Sequence, residues 1–168
     1  MYDITLIDQK TQWINLVKRI KEMSVTDGNT VEIGLFKDIG LISIAKENEF
    51  GDPPRSNRLY PIPERSFMRY VFDKDLKLII KKMLDGAGDV LLGKIKMNEK
   101  LDEMGILLTE RIKKFILSDF YKRAKPNHPI TIKRKKHDHP LIETGKIVST
   151  LTYKIGKGNP KPTMTTKI

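Results

Sequence analysis

The chain has 168 residues, no cysteine and a formal net charge of +11, with 39% hydrophobic and 32% charged residues. This is a globular but polar composition, suited to one domain or one domain with an extension, and it excludes a disordered polyelectrolyte. The lack of cysteine removes disulfide frameworks, thiolate zinc sites and cysteine nucleophiles together, and fits a reducing compartment.

The opening MYDITLIDQK carries an early acid and no long apolar stretch, so no secretory signal is expected there; no apolar run anywhere approaches the roughly 20 residues that cross a bilayer. Over 9–23, Trp13, Leu16, Val17, Ile20 and Met23 follow helical spacing with charge opposite, which predicts a short amphipathic helix. Asp27-Gly28-Asn29 marks a turn. Val31, Ile33 and Leu35 alternate with Glu32 and Gly34, predicting a strand with one buried face.

Residues 41–50 read as a second helix, with Gly51 as its left-handed C-terminal cap. The stretch 52–63 holds four prolines and no helical period, so it reads as a loop of extended backbone. Pro63-Glu64-Arg65 suits the first turn of a new helix, since proline has a fixed φ and lacks the N–H that such a turn leaves unused. Phe67, Met68, Val71 and Phe72 form its apolar side, and the stripe continues through 73–95. Gly86 and Gly88 weaken that stripe, each by about 1 kcal/mol relative to alanine. A long helix over 99–122 follows, with Leu101, Met104, Leu108, Ile112, Phe115 and Ile116 on its buried face. Residues 94–98 are a candidate break, with one continuous bent helix as the alternative.

Residues 123–140 are basic and punctuated by proline, and read as a long surface loop with a short extended segment at 130–132. Residues 141–147 read as a small apolar turn ending in Thr144-Gly145-Lys146. The β-branched content of 148–155 predicts a last strand. The expected architecture is therefore α+β: a small, mostly antiparallel sheet packed against amphipathic helices, with long loops. It forms one domain over 1–156, followed by a flexible basic tail over 157–168.

The charge is localised. Residues 120–168 hold 12 Lys and Arg against two acids, a net +10, whereas residues 1–119 hold 20 against 19, a net +1. Lys133-Arg134-Lys135-Lys136, with Lys122, Arg123 and Lys125 before it, is the strongest electrostatic feature. It points to phosphate through counterion release, to an acidic protein rim, or simply to an exposed loop kept soluble by charge. Phe120 and Tyr121 lie at one end only, so base stacking is not indicated, and no recognition helix carries the charge.

Catalytic patterns are weak. His137-Asp138-His139 offers ligand-type side chains, but the spacing lacks a closed set and the surrounding lysines repel a cation. Glu47 and Glu49, two apart on a helix, do not share a face. There is no G-x-S-x-G elbow, and Asn159-Pro160 blocks a phosphate-binding helix after Gly156-Lys157-Gly158. No enzyme, cofactor or metal is expected.

Three separated stretches are Ala45-Lys46-Glu47-Asn48-Glu49-Phe50-Gly51, then Ile62-Pro63-Glu64-Arg65-Ser66-Phe67-Met68-Arg69, then Pro140 to Leu151 with Thr144-Gly145 at its centre. In this order, with a helical segment between the second and third, they resemble the neck and tail-completion proteins of tailed bacteriophages, over roughly 31–156. The long helical region 73–122 and the basic 122–136 loop depart from that pattern. The resemblance implies a structural virion protein that caps or completes the tail and joins it to the DNA-filled head. It implies an α+β fold and assembly into a ring, a hexamer being favoured over a dodecamer. The implied neighbours are other neck, portal-adaptor and tail-tube proteins, with non-specific contact to packaged DNA and no membrane. The implied location is the virion neck, and the host cytoplasm during assembly.

Physical readings stand beside it. Phe50 and Phe67 are expected first as core residues. Arg65 and Arg69, expected on one helix face, pair internally with Glu49 or Glu64 or meet a neighbouring subunit. The residues expected to contact a partner or DNA are Arg55, Arg58, Arg65, Arg69, Lys133, Arg134, Lys135 and Lys136. The alternative function is a small nucleic-acid-associated protein that uses the 122–136 loop.

Overall fold

The computed structural model describes residues 9–23, 29–54, 60–118, 122 and 124–157. In chain order the elements are α1 (Gln9–Met23), β1 (Asn29–Gly34), α2 (Ile39–Phe50), α3 (Met68–Leu91), α4 (Met97–Ser118), α5 (Pro129–Lys135), α6 (Lys146–Thr150) and β2 (Thr152–Lys157). The fold is α+β, as the patterning predicts. The two strands pair antiparallel, with Val31 opposite Ile155 and Ile33 opposite Tyr153.

The long apolar stripe does break. Residues 92–96 turn the chain between α3 and α4, with Gly93 at φ 71°. The two helices then pack side by side, and the strand pair lies on α4. Gly105 makes that approach close: the Tyr153 ring occupies the space a Cβ would need there. The Tyr153 hydroxyl donates to Asp102 Oδ1 at 2.6 Å. That bond holds the phenol proton and raises its pKa above the ordinary value.

The main core gathers Phe67, Val71, Ile112, Ile116, Ile147 and Leu151 from α3, α4, α6 and their flanks. A smaller cluster of Ile79, Met104 and Leu108 sits between α3 and α4, and Ile33 of β1 packs against both. The Tyr70 and Phe115 rings stack at 4.7 Å. Arg111 of α4 grips Asp75 of α3 through two hydrogen bonds, from Nε to Oδ2 and from Nη2 to Oδ1, the latter at 2.9 Å.

Several expectations need correction. Helix α3 starts at Met68 rather than at Pro63; residues 63–66 belong to no helix or strand, and Ile62 bridges Asp52 in an antiparallel pair. The segment 130–132 is helical, not extended. His128 Nδ1 accepts from Ile130 N–H, Pro129 fills the first turn, and Lys136 at φ 63° ends the helix. Residues 146–150 are a helical turn, and the strand starts only at Thr152. The turn puts Ile147 and Leu151 on one side, and both are buried in the main core. Here burial of two large side chains outweighs the local β preference of valine and threonine.

Gly51 has φ 73° as expected, but its ψ of 166° is extended rather than left-handed helical. A Cβ there would lie 3.0 Å from the Glu64 nitrogen, so glycine is required on both counts. Phe67 is core. Phe50 is not: it is exposed, with the Arg69 guanidinium 4.7 Å from its ring centroid. Helix α1 forms where expected, but its apolar residues Trp13, Ile14, Val17 and Ile20 face solvent. Asp27 and Gly28 of the predicted turn, Arg55 and Arg58, and the predicted tail from residue 158 onward lie outside the described residues. No helix among the described residues is long and apolar enough to cross a membrane.

Candidate functional site

The first two recognisable stretches meet at one buried carboxylate. Glu49, next to last in α2, is 3% exposed, and its oxygens sit at the start of α3. Oε2 accepts the backbone N–H of Phe67 at 2.7 Å and of Met68 at 3.0 Å. Oε1 accepts the N–H of Arg69 and the Ser66 hydroxyl, each at 3.0 Å, and Arg69 Nε at 3.1 Å. These backbone donors are among those a helix start leaves unpaired, and the positive end of the helix dipole favours an anion there. The position of this carboxylate explains why α3 starts where it does.

Arg69 completes the junction. Its Nη2 donates to the Glu49 carbonyl at 2.6 Å and to Glu64 Oε1 at 2.7 Å. Burial alone would lower its pKa; the hydrogen bonds to Glu64 and Glu49 outweigh that and raise it. Arg65 precedes the helix, so the two arginines do not share a helix face. Its side chain is buried and staples α2 to the segment after α4. Nη1 donates to Asn48 Oδ1 at 3.0 Å, and Nε and Nη2 donate to the carbonyls of Lys125 and Pro126 at 2.7 Å each. Burial lowers the Arg65 pKa, and the charge of Asp138 opposes that shift. Asp138 in turn accepts the Asn127 N–H at 2.8 Å. Arg65 and Arg69, two of the residues expected to meet a partner, are thus engaged within the chain.

Beside this junction a cleft of about 470 Å3 opens between α2, the 60–63 segment, α5 and α6. Leu41, Ile44, Ile62, Ile130, Leu141 and Ile147 give it apolar walls, and Glu47, Arg134, Lys135, Glu143 and Lys146 add charge. The rings of Tyr60 and His128, two more lining residues, stack at 3.9 Å.

The four consecutive cations do not act as one block, because the helix fans them around its axis. Lys133 and Lys136 are exposed. Arg134 reaches Glu143 at 3.4 Å. Lys135 turns inward and donates to the Ile142 carbonyl at 3.3 Å. Burial chiefly lowers its pKa, with Arg134 and Arg65 acting in the same direction and Glu143 and Asp138 against it. The outward cations are Lys133, Lys136 and Arg134, the last exposed while it reaches Glu143, joined by exposed Lys122 and Lys125. This surface can meet anions, but it presents a point-charge field rather than a built pocket for one phosphate.

His137 and His139 belong to a local turn, in which the His139 N–H donates to His137 Nδ1 at 3.2 Å. Among the described residues no group of three or more His, Cys, Asp or Glu is placed to hold a metal ion. Glu49 and Glu64 are expected from the sequence as internal partners of the arginines, and both pair with Arg69. Sequence reading missed the capping of α3 by Glu49, its signal being an acid directly before the helix-ending Phe50-Gly51 pair, with Ser-Phe-Met-Arg downstream to receive it. No protein-family model, curated protein or solved structure matches this chain.

Proposed function

We propose that this chain is a structural, non-enzymatic virion protein of the tailed-bacteriophage neck, completing or capping the tail and helping to join it to the portal as a ring. The observation that carries the reading is convergence. The three resemblance-bearing stretches lie far apart in sequence yet build one locus. Ala45 comes from the first, Phe67 and Met68 from the second, and Leu141, Ile147 and Leu151 from the third, all in the main core. Glu49 of the first stretch caps the helix that the second begins. Motifs that cooperate in packing fit a scaffold whose work is assembly, not chemistry. Repeated around an axis, the outward cations Lys122, Lys125, Lys133 and Lys136 would give a rim or channel a strong positive field, suited to DNA or to the acidic face of an adjoining ring. Native mass measurement of the full chain, alone and with portal-adaptor and tail-tube proteins, tests this. A ring mass is expected; a chain that stays monomeric and ignores both neighbours overturns it.

A nucleic-acid-associated protein is the second reading, favoured by the same outward cations. Its test is the salt dependence of duplex DNA affinity, since each phosphate contact steepens the slope. A steep slope that flattens in a Lys133→Ala/Lys136→Ala variant supports it, and a flat response rejects it.

A further inference from the structure

We propose that the apolar face of α1 packs on the exposed apolar stripe of α3 in a neighbouring copy of this chain, so that each copy gives one helix and receives another. This rests on the ring reading and names the contact that would close the ring.

Among the described residues, helix α1 touches its own chain along one edge only, where Leu16 and Arg19 are half-buried. It is held there: Arg19 Nη1 donates to the Leu91 carbonyl at 2.8 Å, and its guanidinium lies against Gly93. The apolar face looks outward, with Trp13 64% and Ile20 52% exposed. An amphipathic helix is stabilised by burying that face. Here the Leu16–Arg19 edge makes the contact, and Trp13, Ile14, Val17 and Ile20 are left for another molecule.

Helix α3 offers the matching surface. Phe72, Leu76, Ile80 and Met83 are exposed beside its buried face, at i, i+4, i+8 and i+11. At 1.5 Å per residue this stripe is about 16 Å long, enough to seat the roughly 10 Å from Trp13 to Ile20. The two surfaces differ, so a contact made once per pair is head-to-tail and repeats around a closed ring when the rotation closes, whereas a two-fold pair would make the same contact twice. Side chains of this size and exposure would bury about 800 Å2 of apolar surface per contact, below the roughly 1,200 Å2 at which specific pairs become stable. A pair joined by one such contact stays weak, whereas a closed ring holds every copy from both sides and a two-fold pair, making the contact twice, buries about 1,600 Å2, within the range of stable interfaces. Either way the area fits a second copy of this chain as the occupant, and the native mass separates ring from dimer.

The chain has no cysteine, so single cysteines report contacts cleanly. Full-length Val17→Cys protein is mixed in turn with Leu76→Cys, Ile80→Cys and Met83→Cys proteins and treated with a short bismaleimide. At least one mixture is expected to give a covalent product of twice the 19.4 kDa chain mass, while Val17→Cys alone gives none. A Val17→Glu variant is expected to lose the ring mass and keep its helical circular dichroism. Cross-linking of Val17→Cys to itself overturns the proposal, because α1 would then meet α1. Binding of the wild type to anionic vesicles that protects Trp13 from quenching, with no cross-link in any mixture, overturns it in favour of a lipid surface. If no mixture cross-links while the wild type still forms rings, this contact is wrong and the ring reading survives. If the wild type stays at 19.4 kDa with and without its expected neighbours, both fall.

Discussion

Glu49→Gln tests the junction most directly. The wild-type carboxylate is buried and accepts three backbone N–H groups, the Ser66 hydroxyl and Arg69 Nε. Glutamine keeps the shape, but one acceptor becomes an amide donor facing other donors. A hydrogen bond to a charged group contributes about 1.5–3 kcal/mol net. The dipole interaction at a partly buried helix start adds up to about 2 kcal/mol. These overlap, so we expect a total of about 3–5 kcal/mol, the range for removing one partner of a buried ion pair. A domain of ordinary stability has about 5–15 kcal/mol in all. At an m-value of about 2 kcal/mol/M, the urea midpoint should fall by about 1.5–2.5 M with m unchanged. Glu64→Gln is the control, because Glu64 bonds the same arginine from an exposed position and should cost less than about 1 kcal/mol. Equal effects of the two variants, or a Glu49→Gln loss under about 1 kcal/mol, would refute the view that this carboxylate determines where α3 begins.

Other expectations follow from the same packing. Gly105→Ala should cost about 1–3 kcal/mol by thermal or urea unfolding despite a helix-propensity gain of about 1 kcal/mol, since the new methyl enters the Tyr153 ring; a Tyr153→Ala background should remove the penalty. Asp75 is held below its ordinary pKa, first by its hydrogen bonds from Arg111. Its contribution is therefore present above the unfolded carboxylate value, near 4, and lost as pH falls through the lower folded value. Unfolding curves should show Asp75→Asn costing about 1–3 kcal/mol at pH 7, with the gap to wild type closing as pH drops below about 4. Gly51→Ala should cost about 1–3 kcal/mol, because φ 73° with ψ 166° is almost closed to residues bearing a Cβ. Lys133→Ala/Lys136→Ala should leave stability within about 0.5 kcal/mol, and any loss in its pull-down of neck partners or DNA would then be read as a surface effect.

What could be read without the fold was set by local rules. The apolar periods of α1, α3 and α4, the β1 strand and the α+β class follow from spacing and turn residues, whereas the sequence leaves a break after α3 and one bent helix as alternatives. Three-dimensional contacts decided the rest. Pro63 has every local qualification to open a helix, yet α3 opens at Met68 because a carboxylate from another helix waits there. Val148 and Thr150 favour a strand, yet they lie in a helical turn because that turn buries Ile147 and Leu151 together. Lys133 to Lys136 read as one charged block, and the helix divides them between solvent, Glu143 and the interior. The candidate site followed the same division: the sequence marks which residues are unusual, whereas whether Arg65 meets a partner or a backbone carbonyl is settled only by what the chain brings within hydrogen-bonding distance. Periodicity records which side of an element is apolar. It carries no information about which distant group will arrive to cap, pair with or cover that side, because that depends on contacts between residues far apart in the chain.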